Sequence, residues 1–293
     1  MPRSLITLVA LGLLLVRGAH AQASKPKPKP ESPAHPHWAA SASGGAVQLS
    51  DSASFRALGG VVQYRPLEWL SLGAAPTIVS GTASGSTTTG FGDLPLGVEA
   101  SREFAAPSSP EIAAAVILTL PTGNAACGLG SGVGHVGVDL GAGLSPSDAV
   151  HLSVAASRSL SGVVTQSSFD PPGATWLSID GDIDLTPRWT LSLSWGGDLG
   201  GMDSSAAPRE LGAGTRYSLG GPLTMAVDVI HGVAGDAPRW GVALSIGTAS
   251  TGLSVLNPTS PLQRQRQVFV SSASPKGGRR GGGGTGTTIT TCP

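Results

Sequence analysis

From about Trp38 to Thr248 the chain repeats one pattern: runs of about ten residues in which apolar side chains alternate with Gly, Ser, Thr and acids. Val136, Val138, Leu140, Ala142 and Leu144 share one parity, with Gly137, Asp139, Gly141, Gly143 and Ser145 between them. Leu177, Ile179, Ile183 and Leu185 oppose Ser178, Asp180, Asp182 and Asp184, and Trp240, Val242, Leu244 and Ile246 oppose Gly241, Ala243, Ser245 and Gly247. Successive side chains on a strand point to opposite faces, so these runs are strands with one apolar and one small or polar face.

Alternation alone also suits a soluble sandwich. Three features favour an antiparallel up-and-down transmembrane β-barrel. About ten residues is the length that crosses an outer membrane when tilted. The polar face is small and hydrophilic almost throughout, as a water-facing lumen requires. Short connections (65–68, 145–148, 186–188 and 220–222) alternate with longer ones (80–89, 122–133, 161–174 and 200–208), as periplasmic turns alternate with outer loops. The runs predict about twelve strands, over 38–48, 55–65, 69–79, 90–104, 111–121, 134–145, 149–160, 175–186, 189–199, 209–219, 223–233 and 239–248. An even count returns both ends to the same side. The first run is the least patterned, which makes ten the next-best count. Tyr64, Trp69, Trp189 and Tyr217 fall beside the short turns and Trp176 and Trp240 beside the long loops, a sparse aromatic girdle.

The segments outside the pattern read differently. Arg3, the apolar run Leu5–Val16 and the small-x-small site Ala19-His20-Ala21 predict a signal peptide over residues 1–21. That run is too short for a membrane helix, and no later stretch is long and apolar enough. A mature chain in a membrane would therefore cross it with strands. Residues 22–37, with KPKPKPESPAHPH, predict an extended Pro-rich periplasmic linker. Residues 249–293, with PLQRQRQ and PKGGRRGGGG, have too little apolar content to order themselves and predict a disordered tail. The only cysteines are Cys127 and Cys292; a bridge would tie a mid-chain loop to the tail, and two isolated thiols is the plainer expectation.

One set of motifs has a familiar order. Gly90-Phe91-Gly92-Asp93-Leu94-Pro95-Leu96-Gly97 is followed by Leu118-Thr119-Leu120-Pro121-Thr122-Gly123, then by Gly128-Leu129-Gly130-Ser131-Gly132 and Val136-Gly137-Val138. This resembles the outer-membrane transporter family named for the MetA pathway of phenol degradation. The resemblance covers about 50 residues of motif within a barrel pattern of roughly 200. It implies a β-barrel and uptake of hydrophobic or aromatic compounds. The chain departs from the family in carrying His135 where an Asp often follows the G-x-G-S-G loop, and in ending its last strand Ile246-Gly247-Thr248 without a terminal aromatic. Read physically, Pro121-Thr122-Gly123 ends a strand and Gly92-Asp93 starts one.

Catalytic signatures fail on context. Gly132–Gly137 matches G-x-G-x-x-G but precedes a strand rather than a helix. No H-E-x-x-H, zinc-spaced cysteine pair or G-x-S-x-G elbow occurs. Asp180, Asp182 and Asp184 lack the Gly and distant Glu of a calcium loop. No enzyme, cofactor or metal is expected. With Lys+Arg and Asp+Glu balanced at 18 each, no nucleic-acid partner is expected either.

The polar parity instead predicts lumen-lining residues: Glu99, Glu103, Asp139, His151, Asp180, Asp182, Asp184, Asp198, Arg216 and Asp228. Such a lumen is net acidic and favours cations or neutral solutes. The expected function is passive passage of small solutes across the outer membrane after signal-peptide-dependent export. Its partners would be outer-membrane lipid, a small-molecule solute and the barrel-insertion machinery. A non-conducting structural or surface-display barrel is the alternative.

Overall fold

Inward residues such as Ala113, Ala115, Gly143 and Gly214 are small, and outward ones such as Ile112, Val116, Leu140 and Leu193 are aliphatic. Runs built this way pair edge to edge into one curved sheet. The computed structural model describes residues 38–248 apart from 52, 84–85, 107, 128, 131, 133, 161–174, 200–207 and 236. The chain divides into two compact units, Met1–His35 and Pro36–Pro293, and all described residues belong to the second. The expected signal peptide, linker and tail, and most of the loops at 161–174 and 200–208, lie outside the described residues.

The strand segments are β1 (Trp38–Ser50), β2 (Ala53–Leu67), β3 (Leu70–Ala74), β4 (Thr77–Ala83), β5 (Ser86–Phe91), β6 (Leu94–Glu103) and β7 (Glu111–Leu120). They continue as β8 (His135–Ser147), β9 (Val150–Leu160), β10 (Thr175–Thr186), β11 (Trp189–Asp198), β12 (Arg209–Gly220), β13 (Leu223–Ala234) and β14 (Trp240–Thr248). All pairings are antiparallel, and β1 pairs with both β2 and β14, which closes the ring.

Two staves are each broken in the middle. Both β3 and β4 pair with β2, at Gln63↔Gly73 and Ala57↔Val79. The break falls at Ala75-Pro76, because Pro76 has no N–H for the ladder. Gly60 N–H donates to the Pro76 carbonyl at 3.1 Å and spans the gap. Likewise β5 pairs with β4 and β6 with β3, and the break falls at Gly92-Asp93. The fourteen segments are therefore twelve staves of a closed antiparallel barrel, the expected count.

One expected outer loop is corrected. Residues 80–89 are not a loop but most of the β4–β5 hairpin. The β-branched Thr82, Thr87, Thr88 and Thr89 favour extended backbone. Their hydroxyls meet across it, Thr82 Oγ1 to Thr87 Oγ1 at 2.9 Å and Thr89 Oγ1 to Ser80 Oγ at 2.8 Å. Long connections are thus not general at that end, since β1–β2 and β4–β5 are joined as tightly as the hairpins opposite.

The two rims differ. Trp38, Thr248 and the turns at 68–69, 104–110, 148–149, 187–188 and 221–222 lie at the terminal rim. The strand ends Ser50, Ala53, Ala83, Ser86, Leu120, His135, Leu160, Thr175, Asp198, Arg209, Ala234 and Trp240 define the loop rim. At the terminal rim Gly220 and Gly221 have φ of 113° and 57°, values an L side chain rarely adopts. Trp38 packs against Tyr64 in a tilted pair with ring centroids 4.5 Å apart, and Trp189 against Tyr217 at 4.8 Å, an aromatic band on that rim.

Burial is inverted relative to a water-soluble domain. Ile112, Leu140, Leu193 and Leu244 are more than half exposed on the outside, while Glu99 is 0 % and Asp139 2 % exposed on the inside. A continuous apolar exterior far exceeds what a soluble monomer shows. It matches a barrel whose solvent is lipid.

Candidate functional site: the inner wall and its latched loop

Register along the ladder sets which inward side chains are neighbours. Glu99 on β6 sits opposite Ser71 and Ala115, and Asp139 on β8 opposite Ala115 and Ser157. Ala115, itself 3 % exposed, thus lies between two buried acids. Its small side chain leaves both carboxylates room.

A second row runs His151–Asp182–Ser192–Gly214–Asp228–Ala243 across six staves. The Arg216 guanidinium stands 4.0 Å from Asp182, and His151 Nδ1 lies 3.1 Å from Ser145 Oγ. A Cβ at Gly214 would overlap the Asp228 carboxylate, so glycine there is a condition for an acid on the neighbouring stave. A small cavity opens between Asp180, Asp182, Ser192, Ser194, Gly214 and Asp228.

The remaining expected residues are spread along the axis. Asp184 is exposed near the terminal rim, where Thr190 Oγ1 donates to it at 2.6 Å. Glu103 is exposed on the same rim opposite Glu111. Asp198 lies near the loop rim opposite Trp176. The structure therefore brings His151, Asp182 and Arg216 together, sets Asp180 and Asp228 nearby, and keeps Glu99 with Asp139 as a separate pair.

The sequence reading missed several inward polar residues. Glu111 (9 % exposed), Glu210 (6 %) and Gln63 (4 %) are buried, and Arg65 Nε donates to Ser71 Oγ at 3.3 Å. Parity could have found two of them, since Glu111 shares it with Ala113 and Ala115, and Glu210 with Gly212 and Gly214. Among the described residues no cluster of three or more His, Cys, Asp or Glu could hold a metal ion.

At the loop rim the motif glycines converge. Asp93, 1 % exposed at the break between β5 and β6, accepts the Gly123 N–H at 3.0 Å. Thr122 Oγ1 donates to the Gly92 carbonyl at 2.9 Å. The chain then makes a short 3-10 turn, Ala125–Cys127, and Leu129 N–H returns to the Asn124 carbonyl at 3.0 Å. Leu129 is buried against Gly90, where a Cβ would come within 2.7 Å of it. Gly130 packs on Gly123 with no room for a side chain. The 121–134 loop is thus latched to the β5–β6 break. Cys127, in this loop, is disulfide-bonded and not the isolated thiol the sequence suggested; Cys292 lies outside the described residues.

No family model matches the chain, and no curated protein does. Among solved structures it is similar to an outer-membrane channel from Pseudomonas putida F1. That match has 16 % identity and a TM-score of 0.54, and covers 76 % of this chain and 99 % of the other. It is also similar to the KdgM porin solved with disordered oligogalacturonate, at 10 % identity and a TM-score of 0.50 over 72 % of this chain and 99 % of that one. Both likenesses are of fold.

Proposed function

We propose that the protein is an outer-membrane channel that passes small solutes down their gradients. One observation carries the reading: a closed ring of twelve staves with an apolar exterior and an interior of acids, hydroxyls and glycine. Eight staves enclose only enough space for their own side chains, and sixteen leave an aqueous channel. Twelve with mostly Gly, Ala and Ser inside give a narrow passage. Its wall carries Glu99, Asp139, Asp180, Asp182 and Asp228 against Arg216 and Arg65, with Glu103, Asp184 and Asp198 towards the rims and His151 beside Asp182. This charge favours cations and neutral solutes over anions.

The rest of the reading follows from this. The leader directs export, insertion machinery folds the staves into the outer membrane, and lipid covers the exterior. Membership of the MetA-named transporter family would account for the G-F-G-D, L-P-T-G and G-L-G-S-G motifs meeting in the loop latch, and would make hydrophobic or aromatic compounds the solutes.

Planar-bilayer recording of the purified protein tests the reading. Discrete channel events with a zero-current potential of cation sign across a salt gradient are expected. A folded, heat-modifiable barrel that gives no events would leave a structural barrel instead.

A further inference from the structure

We propose that the inner-wall niche spanning β10 to β13 is a binding site for a primary ammonium group, the R–NH3+ head of a small organic cation. The inference deepens the channel reading above and rests on it for the route by which such a solute arrives. Binding itself is measured without conduction.

Asp180 and Asp182 from β10 and Asp228 from β13 line the niche, with Ser192 and Ser194 of β11 between them. The ladder sets that order. Asp182 lies opposite Ser192, Ser192 opposite Gly214, and Gly214 opposite Asp228. Two glycines of β12 make the hollow. A Cβ at Gly214 would overlap the Asp228 carboxylate, and one at Gly212 would overlap the Ser194 hydroxyl. Both polar groups therefore lean over the β12 backbone, in space that any other residue would fill.

One carboxylate oxygen in the niche lacks a donor. Asp182 is 9 % exposed, and its Oδ1 is buried with no hydrogen-bond partner. Its other oxygen, Oδ2, faces the Arg216 guanidinium at 4.0 Å. A buried acceptor on a charged group is costly to leave unsatisfied, so a donor brought to Oδ1 is favoured. Arg216 supplies a single positive charge beside the three carboxylates of the niche. The remaining negative charge, in a wall backed by lipid, draws a further cation to the same place.

Shape and chemistry select which cation. The niche has room for about one water-sized group. An ammonium head fits that space and turns its N–H donors towards the surrounding oxygens. A quaternary ammonium is larger and has no N–H. A bare divalent ion needs a full shell of oxygens, and among the described residues no cluster of acids could hold one. One edge of the niche is apolar, because an Ile230 methyl lies 3.5 Å from where a Gly212 Cβ would stand. The carbon next to an ammonium nitrogen has a partner in that methyl, and a hydrated inorganic ion does not.

The test is titration of the full-length protein, folded in detergent micelles, with n-butylammonium chloride, read by backbone amide NMR shifts. Saturating shifts centred on Asp182, Ser192, Gly214 and Asp228 are expected, with tetramethylammonium and potassium chlorides at the same concentrations leaving those amides in place. Asp182→Asn should weaken the binding about tenfold or more, the loss of a hydrogen bond to a charged group. Ser192→Leu fills the niche without changing its charge and should weaken it too. Each variant is first checked for a folded, heat-modifiable band, and if Asp182→Asn does not fold, Ser192→Leu decides alone. Shifts that never saturate, equal shifts with tetramethylammonium or potassium, or binding undiminished in the folded variants would each overturn the site. A barrel that binds the amine but is silent in bilayers would refute the channel and keep the site; one that conducts but does not bind would do the reverse.

Discussion

Replacing Asp93 with Ala should free the 121–134 loop without unfolding the barrel. Asp93 Oδ1 is the acceptor for the Gly123 N–H, and the side chain also fills the space against Gly130. A hydrogen bond to a carboxylate contributes about 1.5–3 kcal/mol, and the orphaned, half-buried N–H adds to the loss. Taking ~2 kcal/mol, the open-to-closed ratio of the loop rises about 30-fold, since every 1.4 kcal/mol is tenfold. Hydrogen exchange at residues 122–130 reads that ratio directly, because local openings exchange without global unfolding. Thr122→Val removes a neutral bond to the Gly92 carbonyl and should raise exchange only about fivefold, for about 1 kcal/mol. Asp93→Asn keeps an oxygen acceptor and should fall between the two. Unchanged exchange at Gly123 in Asp93→Ala would refute the latch. Equal loss of protection across β7 and β8 would refute it differently, by showing that Asp93 supports the wall rather than the loop.

Leu244→Arg, on the half-exposed exterior of β14, should destabilise the barrel in lipid vesicles by about 2–4 kcal/mol, measured as a shift in denaturant midpoint; a neutral result would mean that this face meets water. Gly214→Val forces a side chain into the Asp228 carboxylate and should cost about 1–3 kcal/mol, seen as a lower temperature for losing the folded band on a gel. Single Glu99→Gln or Asp139→Asn changes should reduce cation preference in zero-current potentials, and the double change should reduce it further; a shift towards cations would contradict an acidic lumen. Arg216→Met leaves the Asp182 charge without its nearest cation and should move the potential in the cation direction.

The staves were legible because a lipid-facing barrel enforces its pattern at every other residue. Leu140 cannot exchange parity with Asp139 without putting a carboxylate into the belt, so the sequence of β8 can be read without the other strands. The same logic failed for residues 80–89. Ser, Thr and Gly there suit either a loop or a hydroxyl-paired hairpin, and only the pairing of Ser80 with Thr89 and Thr82 with Thr87 decides it. The breaks at Pro76 and Asp93 were half-legible. Proline announces an interrupted ladder, but nothing local says that the stave resumes in line beyond it.

The wall acids were harder to read than the wall. Parity assigns a side chain to a face, yet it does not say which acids become neighbours. Glu99 and Asp139 are forty residues apart in sequence, and only the registers of β6, β7 and β8 set them either side of Ala115. Glu111 and Glu210 escaped notice because each stands within a residue of a strand start, where alternation has too few repeats to be counted. The motif glycines show the reverse case. Gly90, Gly123 and Gly130 are visible in sequence as a recurring pattern, but their reason is spatial. Leu129 must reach Gly90, and Asp93 must reach both Gly123 and Gly130, so each glycine answers a contact some tens of residues away. A latch of this kind fixes a loop at the mouth of the barrel.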